Sequence, residues 1–230
     1  MFIVGDEPLV AEYSETASAF NYAIIAPEKI KSLASDAKRI SIALELSNLD
    51  LNSKRKNLEV LDKALPESTA ILTSSVNVSA LEQSQWITTK QRLVGIGALP
   101  TLIKNPVVEV SPTVYTSESA VDVARKFFIS LKKEIAVVQD RVGMVLPRIL
   151  CQIINEAMFA VQQDAAEPKD IDTAMRLGMN YPSGPIEWGD RIGFQQVTAV
   201  LGALHADLGE ERYRICPLLK EIAATGKFWG

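Results

Sequence analysis

Across the first 140 residues, short apolar runs alternate with stretches that repeat at the helical period. Residues 1–4, 22–25, 40–46, 70–72, 93–96, 107–110 and 135–138 are strand-length and rich in β-branched side chains. Between several of them the spacing predicts helices over 27–37, 58–65 and 119–131, the last with Ser117 or Thr116 as N-cap. Strands separated by helices predict βαβ units and a mostly parallel sheet. From Gly143 onward the β pattern stops. Residues 144–162 predict a long helix, with Val145, Ile149, Ile153, Ala157 and Val161 at four-residue steps. Pro168 and Gly178 bracket a second helix, and 194–207 and 216–224 predict two more. The pattern divides the chain near 140–143, into an α/β domain over 1–140 and an all-α domain over 141–230. No internal repeat is visible.

Composition narrows the function classes. The chain has 230 residues, 47% hydrophobic and 23% charged, which predicts an ordered globular protein with one large core or two modest ones. A net charge of −4 argues against a general nucleic-acid binder, which needs a basic footprint. Cys151 and Cys216 make no disulfide framework, which fits a reducing compartment. The N-terminus lacks the basic n-region of a signal peptide, and no run reaches the roughly 18 apolar residues of a membrane span. A cytoplasmic protein without membrane or nucleic-acid partners is expected. No Cys/His cluster at metal spacing appears, so no metal is expected.

Two sets of residues carry a family resemblance. The helical half holds Ile153, Asn155, Glu156 and Ala157, then Asp170, Ile171, Asp172, Ala174, Met175 and Gly178. Tyr181, Pro182, Gly184, Pro185, Trp188 and Gly189 follow. The α/β half holds, in order, Asn48 and Leu49, Leu61–Asp62–Lys63, the run 70–75, Arg92 and Gly95, then Val108–Glu109–Val110, and Asp140 and Gly143 with Pro147 and Arg148 beyond. The chain thereby resembles the 3-hydroxyacyl-CoA dehydrogenases, which oxidise the 3-hydroxyl of acyl-CoA thioesters with NAD. With the tail 209–214, Cys216 and Leu218–Leu219, it is similar above all to the C-terminal unit appended in two-unit bacterial members, including those of phenylacetate degradation. The resemblance implies a reduced Rossmann-like domain followed by the family's helical C-terminal domain, either free-standing or as a separate piece. It also implies dimerisation through the helical domain, where apolar surplus on the long helix fits a subunit interface.

The chemistry of that family meets substitutions here. Dinucleotide binding asks for G-x-G-x-x-G at the first strand–helix turn, so that backbone can approach the pyrophosphate. The turn reads Gly5–Asp6–Glu7–Pro8–Leu9–Val10, with one glycine, two carboxylates and a proline. Fewer than 40 residues separate the first strand from that at 40–46, so one mononucleotide-binding half is missing. By the resemblance, Glu109 stands where a glutamate holds the catalytic histidine, yet Gly97 stands at the histidine and Pro147 at a supporting asparagine. Glycine offers no proton acceptor for general-base catalysis. Ser74 matches the serine that hydrogen-bonds substrate oxygen. His205, the only histidine, sits in a C-terminal helix pattern and reads as structural. Glu210 and Glu211 with Arg212 and Arg214 read as a solvated charge run, with an interface or CoA-phosphate patch as the alternative. Tyr181 and Trp188 read as core anchors in a loop between helices.

Two functions stay open. In one, the chain is non-catalytic, without cofactor, and acts as a homodimer, by docking on an active dehydrogenase or hydratase of acyl-CoA breakdown, or by holding an acyl-CoA ester. In the other, it is a working NAD-dependent 3-hydroxyacyl-CoA dehydrogenase that completes its site with a partner subunit, using Ser74 and Glu109.

Overall fold

A computed structural model describes residues 1–25, 37 and 40–226. They form two compact units, Met1–Met144 and Val145–Gly230. The first contains a six-stranded sheet in the order β1 (Phe2–Gly5), β2 (Ile42–Leu46), β3 (Ala70–Ser74), β4 (Leu93–Ile96), β5 (Val107–Pro112) and β6 (Glu134–Val137). All neighbours pair in parallel except β4 and β5, which are antiparallel. Among the described strands the order follows the chain without reversal.

The alternation of side chains explains the layers. Ile42, Leu44 and Leu46 of β2 join Leu72, Val94 and Ile96 on one face, under α1 (Glu7–Ser18) and α4 (Glu118–Ser130). Ala43, Ile71 and Leu93 face the other way, against Leu58 and Leu61 of α2 (Leu51–Ala64). A sheet covered on both faces reads as near-continuous apolar runs, and those runs made its strands visible in the sequence.

The structure departs from the expected elements at several places. Residues 22–25 give only a single parallel bridge, Phe2 to Ile25, instead of a strand. Most of the helix expected over 27–37 lies outside the described residues. Helix α1 was not anticipated, although Leu9, Tyr13 and Ala17 are buried at four-residue spacing. Helix α2 begins at Leu51, seven residues before the expected start, because Asp50 caps it by accepting from the amides of Asn52 and Ser53. In its first two turns the buried residue is Lys54, which no hydrophobic pattern reveals. Ser117 does cap α4, accepting from the Ala120 amide.

The second unit is helical: α5 (Leu146–Gln162), α6 (Pro168–Met179), α7 (Pro185–Ile192), α8 (Phe194–Leu208) and α9 (Pro217–Thr225). Helix α5 buries Leu150, Cys151, Ile154, Ala157 and Met158. That face is offset from the expected stripe, whose Val145 and Ile149 are exposed. Trp188 belongs to α7 and not to a loop, since Gly184 and Pro185 start a helix there. Helix α6 buries no residue, and its Leu177 and Met179 are exposed. No helix among the described residues is long and apolar enough to cross a membrane.

Candidate functional site

The polar residues singled out in the first unit gather where β2, β3 and β4 end. Ser74 closes β3, and its side chain is 1% exposed. Its hydroxyl lies 2.6 Å from Asn48 Oδ1 and 3.1 Å from the Ala98 carbonyl, either of which accepts its single proton. Asn48, just beyond β2, donates through Nδ2 to the same Ala98 carbonyl at 2.9 Å. Asn77 Nδ2 donates to the Asn48 carbonyl at 2.8 Å. Serine, asparagine and carbonyl thus form a closed triangle joining three strand ends.

Gly97 lies next to this triangle, one residue beyond β4, and its amide donates to the Glu109 carbonyl at 3.0 Å. A β-carbon built on Gly97 would sit 3.3 Å from Glu109 Cβ, 3.4 Å from Glu109 Oε2 and 3.5 Å from Met144 Sδ. A side chain at this position would therefore abut the Glu109 carboxylate. Met144 is buried and has φ +49°, in the region L-residues rarely adopt. The segment leading to it is pinned at both ends. The Asp140 carboxylate accepts from the amides of Ala80 and Leu81, at 2.8 and 2.7 Å, at the start of α3 (Ala80–Ser84). The Gly143 amide donates to the Val76 carbonyl.

Beneath the triangle runs a buried polar network. Glu45 and Lys54 form an ion pair with side chains 0% and 1% exposed. Lys54 also donates to the Ser47 carbonyl at 2.9 Å. The Glu45 carboxylate further accepts from the Ser47 amide and Asn57 Nδ2, with Thr73 Oγ1 3.4 Å from it. Thr73 donates to Gln83 Oε1, whose Nε2 returns bonds to the carbonyls of Ser74 and Val78. Burial pushes the Asp62 carboxyl up, but bonds from the Arg92 guanidinium and the Thr88 and Thr89 amides outweigh it and hold the group below the usual carboxylate range.

The turn after β1 holds a second arrangement. Asp6 is the N-cap residue of α1, yet its side chain makes no capping bond to that helix. Its Oδ2 instead accepts from the backbone amides of Asn48 at 2.9 Å and Leu49 at 3.2 Å. Neither Asn48 as a side-chain partner nor this carboxylate contact was anticipated. Both join residues more than 20 positions apart, which no local pattern encodes.

In the second unit the signature residues serve the scaffold. Asp172 accepts from the amides of Ile186 and Glu187, capping α7 from a different helix. A β-carbon on Gly184 would fall 2.2 Å from Asp172, so glycine is needed there. Asn155 donates to the Arg214 carbonyl and accepts from the Cys216 amide. The rings of Tyr181 and Trp188 pack 5.7 Å apart. Pro147 is buried in the first turn of α5. Arg212 and Arg214 pair with Glu210 and Glu211 at the surface, and His205 Nδ1 lies 3.2 Å from the Glu210 carbonyl.

Comparison with known proteins follows the same division. The profile of the 3-hydroxyacyl-CoA dehydrogenase NAD binding domain matches residues 14–141, and that of the C-terminal domain matches 143–229. The 3-hydroxybutyryl-CoA dehydrogenase of Clostridioides difficile is 30% identical over 84% of this chain and 68% of its own length. The chain thus spans about two thirds of that relative. The 3-hydroxyadipyl-CoA dehydrogenase of Escherichia coli is 41% identical over 51% of this chain, a stretch covering 25% of that enzyme. The crystal structure of (S)-3-hydroxybutyryl-CoA dehydrogenase from Ralstonia eutropha has the same fold, with a TM-score of 0.80 over 98% of this chain and 93% of that one at 22% identity. On both of its units, the chain belongs to the 3-hydroxyacyl-CoA dehydrogenase family.

Proposed function

We propose that this chain is a non-catalytic member of its family, working in the cytoplasm in acyl-CoA breakdown through assembly or by holding a thioester. The observation that carries this reading is Gly97. The position faces the Glu109 carboxylate at the distance a side chain would need, and a glycine leaves no group there to accept the substrate's hydroxyl proton. Ser74 is buried with its hydroxyl committed to Asn48 or Ala98, which suits a structural tie better than a substrate contact.

The family's cofactor meets poor complementarity at the first turn. Pro8 lacks an amide hydrogen, and Asp6 and Glu7 put carboxylates where phosphate charge would lie. The NAD-domain profile match begins at residue 14, after this turn. We therefore derive no hydride step through NAD.

Assembly as a homodimer through the helical unit, or docking on an active dehydrogenase or hydratase, is supported by the apolar surface of that unit. Val145 and Ile149 of the α5 region and Leu177 and Met179 of α6 are 47%, 52%, 82% and 59% exposed. A second reading keeps the chain as an active NAD-dependent dehydrogenase completed by a partner, favoured by the retained Glu109 and the NAD-domain match. Calorimetric titration with NADH and, separately, acetoacetyl-CoA tests the proposal. No heat with NADH is expected. Micromolar NADH binding would favour the second reading, and binding of the thioester alone would assign the chain to holding acyl-CoA.

A further inference from the structure

We propose that Asp6 is a built-in anion, filling an anion-binding amide pair at the carboxyl ends of β1 and β2 that would otherwise take a phosphate. The inference rests on the reading that dinucleotide binding is lost, and it names the device that replaced it.

Ligands of open α/β sheets lie just outside the carboxyl ends of the parallel strands. Here β1 and β2 are parallel neighbours, with Gly5 opposite Leu46. The residue after β1 is Asp6, and the amides of Asn48 and Leu49 follow β2 by two and three residues. Consecutive amides turned to one side form a concavity for an anion. That this pair binds one is visible directly, because the Asp6 carboxylate accepts from both, at 2.9 and 3.2 Å.

Two features show that the contact is not ordinary helix capping. The Asp6 side chain makes no capping hydrogen bond to the helix it precedes. The partners lie 42 and 43 residues away, on the next strand's exit. A further backbone bond runs alongside, from the Asp6 amide to the Leu46 carbonyl at 3.4 Å. The contact therefore fastens two adjacent strand ends with a charge-assisted pair of bonds, work that a bound phosphate could do by bridging the same groups. A ligand anion cannot occupy the amides while Asp6 does.

The test compares wild type with Asp6→Ala, using inorganic pyrophosphate against sodium chloride of equal ionic strength and reading the thermal midpoint. Wild type should shift by less than about 1 °C. Asp6→Ala should melt lower and recover by about 5 °C at pyrophosphate near a hundredfold its Kd. If Asp6→Ala unfolds, its refolding by pyrophosphate supports the proposal, and Asp6→Asn, which keeps one acceptor without charge, should respond at an intermediate level. Equal responses of wild type and variants, or no response in either variant, overturns it. NADH binding by wild type is a separate result. It would remove the proposed function, whereas an unresponsive Asp6→Ala beside an NADH-silent wild type removes only this inference.

Discussion

Replacing Lys54 by Met tests whether the buried ion pair supports the strands that carry the candidate site. The side chains of Lys54 and Glu45 are 1% and 0% exposed, so the substitution strands a carboxylate in the interior. Breaking a buried pair from one side costs about 3–5 kcal/mol. Glu45 keeps two donors here, the Ser47 amide at 3.1 Å and Asn57 Nδ2 at 3.3 Å, so the lower end applies, about 3 kcal/mol. The Met side chain retains most of the apolar stem, which keeps cavity terms small. Removing the charge as well, in Glu45→Gln with Lys54→Met, should recover at least about 1 kcal/mol, because the penalty lies in the unpaired charge. Hydrogen exchange at the β2 and β3 amides reads the opening free energy of the first unit without interference from the second. A loss below about 1 kcal/mol in Lys54→Met, or a double variant less stable than the single, would refute the reasoning.

Three further expectations follow from other contacts. Asp62 is held below the usual carboxylate range, so the stability it contributes is complete above about pH 4 and is lost as pH falls through its lower folded value. Thermal melts from about pH 6 to pH 2 should show wild type and Asp62→Asn converging on acidification, and a constant gap would contradict this. Gly184→Ala places a β-carbon 2.2 Å from Asp172 and should cost about 1–2 kcal/mol by pushing that carboxylate off the α7 amides. Asp172→Ala should cost a similar amount, and urea unfolding of the pair should show the two losses failing to add. Burial pushes the Cys151 thiol well up, so iodoacetamide should leave it unmodified in the folded protein at neutral pH and label it in denaturant, as read by mass spectrometry.

What the sequence disclosed depended on whether the information was local. Strands β2, β3 and β4 stood out because both faces of the sheet are covered there, leaving continuous apolar runs. Helix α1 escaped because its buried positions are only Leu9, Tyr13 and Ala17, on one narrow stripe behind a proline. On α5 the four-residue stripe was real, but the buried face is the adjacent one, and the apolar positions at Val145 and Ile149 mark surface. The division between the α/β and helical parts was legible because the strand pattern stops abruptly after β6.

The candidate site divides the same way. Gly97, Glu109 and Ser74 could be placed by resemblance, and the fold does bring Gly97 beside Glu109, with Ser74 bonded to the neighbouring Ala98. The contacts of Asn48 and Asp6 depend on how strand ends meet across the sheet, which no spacing in the chain encodes.

The central claim is that this family member does not turn over substrate. Its most direct test is the oxidation of NADH by the purified full chain in the presence of acetoacetyl-CoA, followed by the loss of nicotinamide absorbance, with an active family member as the positive control. The account predicts no consumption above the rate without protein. Turnover that scales with protein concentration and disappears in Glu109→Gln would contradict it.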